Sequence, residues 1–342
     1  MYLLLAGIFM GWALGTNDAA NAFGTAVATG VVKYRTAITV ISTMVIIGAI
    51  LHGQGNLDKL SVLAQRNEVI ATTNDISNAV RNNSADLLKY KSAIKASVIC
   101  FCAGFTVFLM SYFKLPVSAN QSVIGAIIGW GLFHTDNFSS NLPYIADFFI
   151  TWLINPLCAG IISYILVIIV RKFNITSKKL IKAGYMLAGT LASYSIGVNS
   201  SASITALYFD PYFQQTGVAT NLLTDAKLTA IIGGISIALG VLTFSKRVMA
   251  TVGSNIAHLT QTDGFIVIIA MAVTVLIMEN VMGIPVSTSQ TIVGAVIGAG
   301  LVYGVKNINF SIVKSIASGW VLSPVLAGVL SYFVAVSTQR YF

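Results

Sequence analysis

Apolar runs of about twenty residues recur along the whole of this chain, and that is the length at which a helix spans the core of a lipid bilayer. Only 9% of the 342 residues are charged, whereas an ordinary soluble domain has roughly 25%. The sequence therefore predicts an all-α polytopic membrane protein. Ten hydrophobic segments can be read, at 2–30, 36–53, 93–113, 117–133, 144–170, 184–208, 226–244, 265–282, 286–304 and 311–337.

Two of the eleven acidic residues, Asp18 and Glu279, lie inside or against apolar sequence, and the other nine fall in polar stretches or at segment edges. A carboxylate at membrane depth costs several kcal/mol, so it marks a functional position by default. We therefore expect Asp18 to be functional. Glu279 lies either near the mouth of a cavity or at the membrane interface, and the sequence does not decide between these two places.

The twenty basic residues give the chain a net charge of +9 and lie in loops and segment flanks. That distribution is typical of membrane topology and not of a nucleic-acid-binding surface. Five Lys and Arg residues without an acid place the linker 171–183 in the cytoplasm. The loops 134–143 and 208–226 contain neither Lys nor Arg and are expected outside, with both termini. The loop 54–92 would also lie outside, although it carries five basic residues beside four acids.

Two sequence echoes divide the chain into similar halves. Residues 114–132 and 283–301 are identical at ten of nineteen positions, and a second echo pairs the region from Trp152 with that from Trp320. If each half crosses the membrane an odd number of times, the halves form inverted repeats with a site between them. We predict two inverted repeats of about five segments each, with broken or re-entrant helices. The boundaries are a first repeat at 1–170, a basic cytoplasmic linker at 171–183 and a second repeat at 184–342.

The first segment is interrupted by a polar stretch from Gly15 to Thr25, which contains Asn17, Asp18 and Asn21. Such a stretch predicts local unwinding at membrane depth, where freed carbonyls and Asn and Asp oxygens suit a hard cation such as sodium. We therefore predict a cation site at these three side chains, with the charge supplied by Asp18. The alternative is that the asparagines only link helices by hydrogen bonds while the glycines allow close packing.

A Pro-Val-Ser motif begins both the fourth and the ninth segment, at Pro116 and Pro285. Proline suits the first position of a helix, and the free N–H groups and positive dipole at that end suit an oxyanion. The residues that we expect to line such an anion site are Thr25, Ser118, Asn120, Gln121, Ser287, Thr288, Ser289 and Gln290. The alternative is that the hydroxyls only bond back to the carbonyls of their own helices.

The stretch from Gly15 to Thr25 resembles the Gly-x-Asn-Asp-x-x-Asn signature of the inorganic phosphate transporter (PiT) family, and the second Pro-Val-Ser-Thr segment is similar to that family too. The resemblance covers essentially the whole chain. It implies a cation-coupled anion symporter built from inverted repeats that are joined by a cytoplasmic link. It also implies an ion and substrate centre at Asn17, Asp18 and Asn21, and an anion site at Ser118, Ser287, Thr288 and Ser289.

The second half departs from the family pattern. Where family members repeat the signature, this chain has the residues 197–203, and only Gly197 and Asn199 are kept. Asn199 is therefore the cation ligand that we expect from this half.

The resemblance also indicates a loss of carboxylates, because Val45 in the first half and Ile268 in the second stand where the family commonly has glutamates. Hydrogen phosphate can donate a proton to a carboxylate whereas sulfate has none and is repelled, so a site with fewer carboxylates keeps sulfate as an alternative substrate.

The sequence thus predicts a symporter that moves inorganic phosphate with sodium or a proton across the plasma membrane, by rocking two halves about a midplane site. No further cofactor is expected, and the partners are the anion, membrane lipids and, left open, further copies of the chain. The alternatives are a sulfate permease of the same family and a passive anion channel without cation dependence. An enzyme has little support, because no catalytic constellation or metal motif recurs at useful spacing.

Overall fold

A computed structural model describes residues 4–53, 78, 85–134, 142–173, 177–208, 226–282 and 286–338. These residues are nearly all helical and contain no β-strand beyond one isolated bridge between Ala257 and Ile308. The helices are α1 (Leu4–Ala28), α2 (Tyr34–His52), α3 (Ala85–Tyr112), α4 (Ala119–His134), α5 (Leu142–Lys172), α6 (Lys178–Tyr208), α7 (Ala226–Phe244), α8 (Lys246–Ala250, continued by a π-helical turn at Thr251–Asn255), α9 (Gln261–Met282), α10 (Thr288–Leu301) and α11 (Phe310–Thr338).

Six of these helices are long and apolar enough to cross a membrane, namely α2, α3, α5, α7, α9 and α11. Their outer faces are hydrophobic: on α5, Leu153, Leu157 and Ile161 follow one another at a spacing of one turn and are 69%, 61% and 61% exposed. Large side chains with this exposure are stable next to lipid and not next to water. The predicted all-α, multi-pass membrane fold is confirmed.

The expected unwinding of the first segment is wrong, because α1 runs without a break from Leu4 to Ala28. Its polar side chains find partners without freeing the main chain, and the Thr16 hydroxyl, for example, donates to the Ala13 carbonyl at 2.6 Å. Three alanines between Asp18 and Phe23 also favour the helix. The interruptions lie instead before α4 and before α10.

The interruption before α4 begins with a tight left-handed turn. Lys114 has a φ of 64°, and its N–H donates to the Ser111 carbonyl while the Leu115 N–H donates to the Met110 carbonyl. This arrangement closes the last turn of α3 and reverses the chain. Residues 115–118 are then non-helical until α4 begins, and Val286 and Ser287 are likewise non-helical before α10.

The short helices α4 and α10 each pack on a long helix of the opposite half. A Cβ atom added at Gly125 in α4 would lie 2.1 Å from the Pro324 carbonyl oxygen in α11, and one at Gly294 in α10 would lie 2.1 Å from the Pro156 carbonyl oxygen in α5. Only glycine permits such close backbone approach. The two contacts occupy matching places in the two echoes, as repeats would. The inverted orientation of the halves and their boundaries stay predictions.

Candidate functional site

Helix α1 lies between the two interruptions and binds each of them through one asparagine. The Asn17 Oδ1 accepts the Val117 N–H at 3.0 Å. One helical turn later, the Asn21 Nδ2 donates to the Thr288 and Ser289 hydroxyls at 3.1 and 3.0 Å. Residues four apart share one face of a helix, so a single face of α1 holds the starts of both α4 and α10.

Each of these two helices begins with a serine cap. The Gln121 N–H lies 3.4 Å from the Ser118 Oγ, and the Gln290 N–H lies 3.2 Å from the Ser287 Oγ. A serine cap satisfies one of the N–H groups that the first turn of a helix leaves without a partner, and it leaves others free to bind a ligand. The positive ends of both helix dipoles therefore point into the space beside α1.

That space is a cavity of about 490 Å³. One wall is apolar and comes from α6 and α9, with Leu191, Ile196, Ile268 and Val275 among its residues. The described residues of the lining include no lysine or arginine. The polar residues that line the cavity are Asp18, Asn21, Ser118, Asn120, Ser195, Asn199, Ser200, Ser287, Thr288 and Ser289.

Asp18 is the one carboxylate among the described residues that line the cavity. Its side chain is 6% exposed. The Ser200 hydroxyl donates to the Asp18 Oδ2 at 3.3 Å, and the Asn21 Nδ2 lies 3.5 Å from the Oδ1. A buried carboxylate needs a compensating charge or several hydrogen bonds, and the neutral donors of Ser200, Ser289 and Asn21 supply only part of that compensation. Asp18 is therefore suited to a cation.

Four buried side-chain carbonyl oxygens near the cavity have no donor within reach in the described part of the chain. They belong to Asn21, Gln121, Asn155 and Gln290. An unsatisfied buried acceptor costs about 1–3 kcal/mol, so a ligand that satisfies such oxygens is favoured. Neutral side-chain oxygens are ligands for hard cations. Of these four residues, Asn21 also lines the cavity with Asp18, and an amide oxygen beside a carboxylate is a donor pair that suits a sodium ion.

The structure brings eight of the twelve predicted site residues to the cavity: Asp18, Asn21, Ser118, Asn120, Asn199, Ser287, Thr288 and Ser289. Gln121 and Gln290 are buried just behind it, as the residues whose N–H groups meet the serine caps.

Asn17 and Thr25 lie outside the lining of the cavity. Both amide atoms of Asn17 are used in holding the turn before α4, since its Nδ2 donates to the Ser111 hydroxyl and the Leu115 carbonyl. Asn17 therefore links helices, which is the alternative that the sequence left open. Thr25 lies seven residues after Asp18, about 10 Å further along the axis of α1, and its hydroxyl donates to the Gly264 carbonyl at 3.1 Å. It does not line the cavity.

Neither Ser200 nor Asn155 is among the site residues that the sequence predicts. Ser200 lies where the second half departs from the signature, and its hydroxyl contacts Asp18. Asn155 holds the start of α10, because its Nδ2 donates to the Ser287 carbonyl at 2.9 Å and to the Thr291 hydroxyl at 2.7 Å. The sequence did not indicate Asn155, because the position that corresponds to it in the second half is occupied by a different residue, Ser323.

The side chain of Glu279, in α9, lies outside the described residues, as does Pro285.

Relatives of the chain span nearly its whole length. A protein of Pyrococcus horikoshii that is provisionally named a phosphate permease is 27% identical over 96% of this chain and 95% of its own. A protein of Methanocaldococcus jannaschii with the same provisional name is 26% identical over 97% and 95%. The sulfate permease CysP of Bacillus subtilis is 25% identical over 97% of this chain and 86% of its own.

The fold also matches a solved structure, described as the sodium-dependent phosphate transporter, with a TM-score of 0.72 at 22% identity over the full length of both chains. The model of the phosphate transporter family matches residues 14–188 and again residues 174–331. Taken together, the two matched regions cover nearly the whole of the ten hydrophobic segments. The chain is an integral, multi-pass membrane protein that belongs to the phosphate transporter family.

Proposed function

We propose that this protein is a symporter that carries inorganic phosphate across the plasma membrane together with sodium. The observation that carries the proposal is the meeting of two capped helix ends and one buried carboxylate in a single cavity. The helix ends attract an anion, and the carboxylate attracts a cation. The printed description of the solved relative, a sodium-dependent phosphate transporter, supports sodium as the coupling ion.

The anion is held by hydrogen bonds and not by a full positive charge. Ser118 and Ser287 lie at the starts of α4 and α10, and Asn120, Thr288 and Ser289 add further polar atoms. Helix dipoles and neutral donors bind a phosphate with modest strength. Modest binding suits a transporter, because the substrate must leave the site again on the other side of the membrane.

Coupling follows from the charge balance of the cavity. Phosphate and the Asp18 carboxylate are both negative and repel each other when they share a low-dielectric space. A sodium ion at Asp18 cancels the carboxylate charge, so each ion raises the affinity of the site for the other. Asn21, which lines the cavity with Asp18, offers a free amide oxygen as a neutral ligand, and further free amide oxygens belong to Gln121 and Gln290 in the first turns of α4 and α10. A proton on Asp18 would cancel the same charge but would not use those oxygens, which is why we favour sodium.

Purified protein in liposomes should accumulate labelled phosphate only when an inward sodium gradient is imposed, and a proton gradient alone should drive little uptake. Labelled sulfate is measured in parallel with the same gradients. Uptake of phosphate that ignores both gradients would indicate a passive channel. Accumulation of sulfate without phosphate would indicate that the chain is a sulfate permease instead.

Sulfate is a second candidate substrate because one specific observation favours it. The described lining of the cavity holds a single carboxylate, so a fully deprotonated dianion meets only one repelling group. A relative 25% identical to this chain is named a sulfate permease. We therefore expect sulfate to compete with phosphate in the uptake measurement.

Replacing Ser287 by Ala should raise the KM for phosphate by about tenfold, because it removes a hydroxyl that lines the cavity and caps α10. Ser118→Ala should act in the same way at α4. The matched control is Ser331→Ala, which removes an equally buried hydroxyl from α11, outside the cavity lining. The KM is measured from initial uptake rates in liposomes. Unchanged KM values in both cap variants would rule out anion binding at these helix ends.

A further inference from the structure

Close contacts of glycine residues establish which positions of the two halves correspond. Two contacts between α1 and α7 have counterparts between α6 and α2, and the same offset of 182 residues relates the α1 positions to those of α6 in both pairs. Packing that is reciprocal in this way is expected of two repeats related by a twofold axis. The contacts are Gly15 with Ile237 and Gly197 with Val45, then Gly240 with Trp12 and Gly48 with Tyr194.

The same offset pairs Asp18 with Ser200. These two side chains do not merely correspond, because the Ser200 hydroxyl donates directly to the Asp18 Oδ2 at 3.3 Å. Residues at equivalent positions touch each other only where the twofold axis passes between them. Asp18 and Ser200 therefore meet at the axis that relates the halves, and both line the cavity. The first half contributes a carboxylate at this point and the second half contributes a hydroxyl.

This difference decides the charge at the centre of the cavity. A carboxylate at position 200 would stand within about 3 Å of Asp18, and two carboxylates that close cannot both remain ionised without a shared proton or an additional cation. A fully deprotonated anion would then meet two repelling groups. An anion that carries a proton could instead donate it to one of them. With serine at position 200, one carboxylate remains, and its charge can be matched by a single cation.

We infer that Ser200 determines which anions the site accepts, by keeping the centre permissive to a fully deprotonated tetrahedral dianion such as sulfate beside hydrogen phosphate. The inference rests on the proposed function and adds the residue that sets its selectivity. Ser200 contributes in two ways. It donates a hydrogen bond that holds the Asp18 carboxylate. Because it is uncharged, it does not repel the second negative charge of the anion.

The test compares Ser200→Asp with Ser200→Asn, since the two side chains have nearly the same size and differ in charge. The quantity measured is the sulfate concentration that halves sodium-driven phosphate uptake in liposomes. We expect Ser200→Asp to need about tenfold more sulfate than Ser200→Asn, because like charges in a desolvated site repel strongly. Equal sulfate sensitivity of the two variants would overturn the inference. A purely structural role would affect both variants alike.

A second variant keeps the number of charges unchanged and tests the position of the axis. In the exchange variant, Asp18→Ser is combined with Ser200→Asp, so that the carboxylate moves to the other half. We expect Asp18→Ser alone to lose sodium-driven uptake, and the exchange variant to recover it with the sulfate sensitivity of the natural protein. If Ser200→Asp folds poorly, the exchange variant still tests whether positions 18 and 200 are equivalent, on which the inference depends. Failure to recover uptake in a folded exchange variant would contradict the placement of both residues at the axis.

The two proposals fail in different ways. A natural protein that takes up neither phosphate nor sulfate would refute the proposed function. A natural protein that takes up phosphate, with variants at position 200 that do not differ in their response to sulfate, would refute the role of Ser200 alone.

Discussion

Replacing Asp18 by Asn should lower sodium-driven phosphate uptake by at least about a hundredfold, because it removes the one negative charge that the described cavity lining offers to a cation. The amide is nearly the same size as the carboxylate and can still accept a hydrogen bond from Ser200. The protein should therefore insert and fold, and the loss should appear in transport and not in abundance. Uptake is measured in liposomes with and without a sodium gradient.

The matched control for Asp18→Asn is Asp263→Asn, which neutralises another buried carboxylate away from the cavity. Asp263 is 1% exposed and accepts hydrogen bonds from the Thr260 N–H and the Tyr303 hydroxyl near the start of α9. Its loss should lower the thermal stability of the protein in detergent and leave the sodium dependence of uptake intact. Full sodium-driven activity in the Asp18→Asn variant would remove Asp18 from the coupling mechanism.

Replacing Gly298 by Ala should destabilise the protein by about 3 kcal/mol, since a Cβ there would lie 2.0 Å from the Gly160 carbonyl oxygen. The obstacle is backbone, which a side-chain rotation cannot move away. Helices α10 and α5 would have to separate, and the cap of α10 would leave its place beside the cavity. The yield of folded protein and the midpoint of thermal unfolding in detergent should both fall sharply.

The control for Gly298→Ala is Gly233→Ala in α7, where an added Cβ finds its nearest neighbour at 3.5 Å, an ordinary contact distance. Alanine is the better helix former by about 1 kcal/mol, so this variant should be as stable as the natural protein or slightly more stable. Equal stability of the two variants would show that α10 and α5 do not approach as closely as the structure indicates.

The helical membrane fold was predictable from the sequence because runs of about twenty apolar residues are a clear mark of membrane-spanning helices. Each of the ten apolar segments corresponds to a helix, and the boundaries of the segment at 226–244 agree with those of α7. The cavity was predictable in part for a different reason. The Pro-Val-Ser motif occurs twice, and a duplicated motif in two halves of a transporter marks the place where the halves meet, as Ser118 and Ser287 do here.

A polar residue in an apolar segment has two physical uses, and the sequence does not distinguish between them. Asn17 and Asn21 have the same chemistry, lie one turn apart and both link α1 to a neighbouring helix, yet only Asn21 also lines the cavity. The sequence contains no information on which neighbour each of them meets. The continuity of α1 was also hidden, because glycine and asparagine lower helix propensity locally, while the partners that stabilise the helix, such as Ser111, lie about a hundred residues away.

The exchange of packing partners between the halves has a consequence for the biosynthesis of the chain. The glycine face of α4 meets its partner at Pro324, so about 200 further residues, or roughly 10–40 s of translation, separate the synthesis of the two surfaces. During that time α4 lacks the helix that its glycine face contacts in the folded protein. A chain that ends after the basic linker therefore leaves the glycine face of α4 without its packing partner.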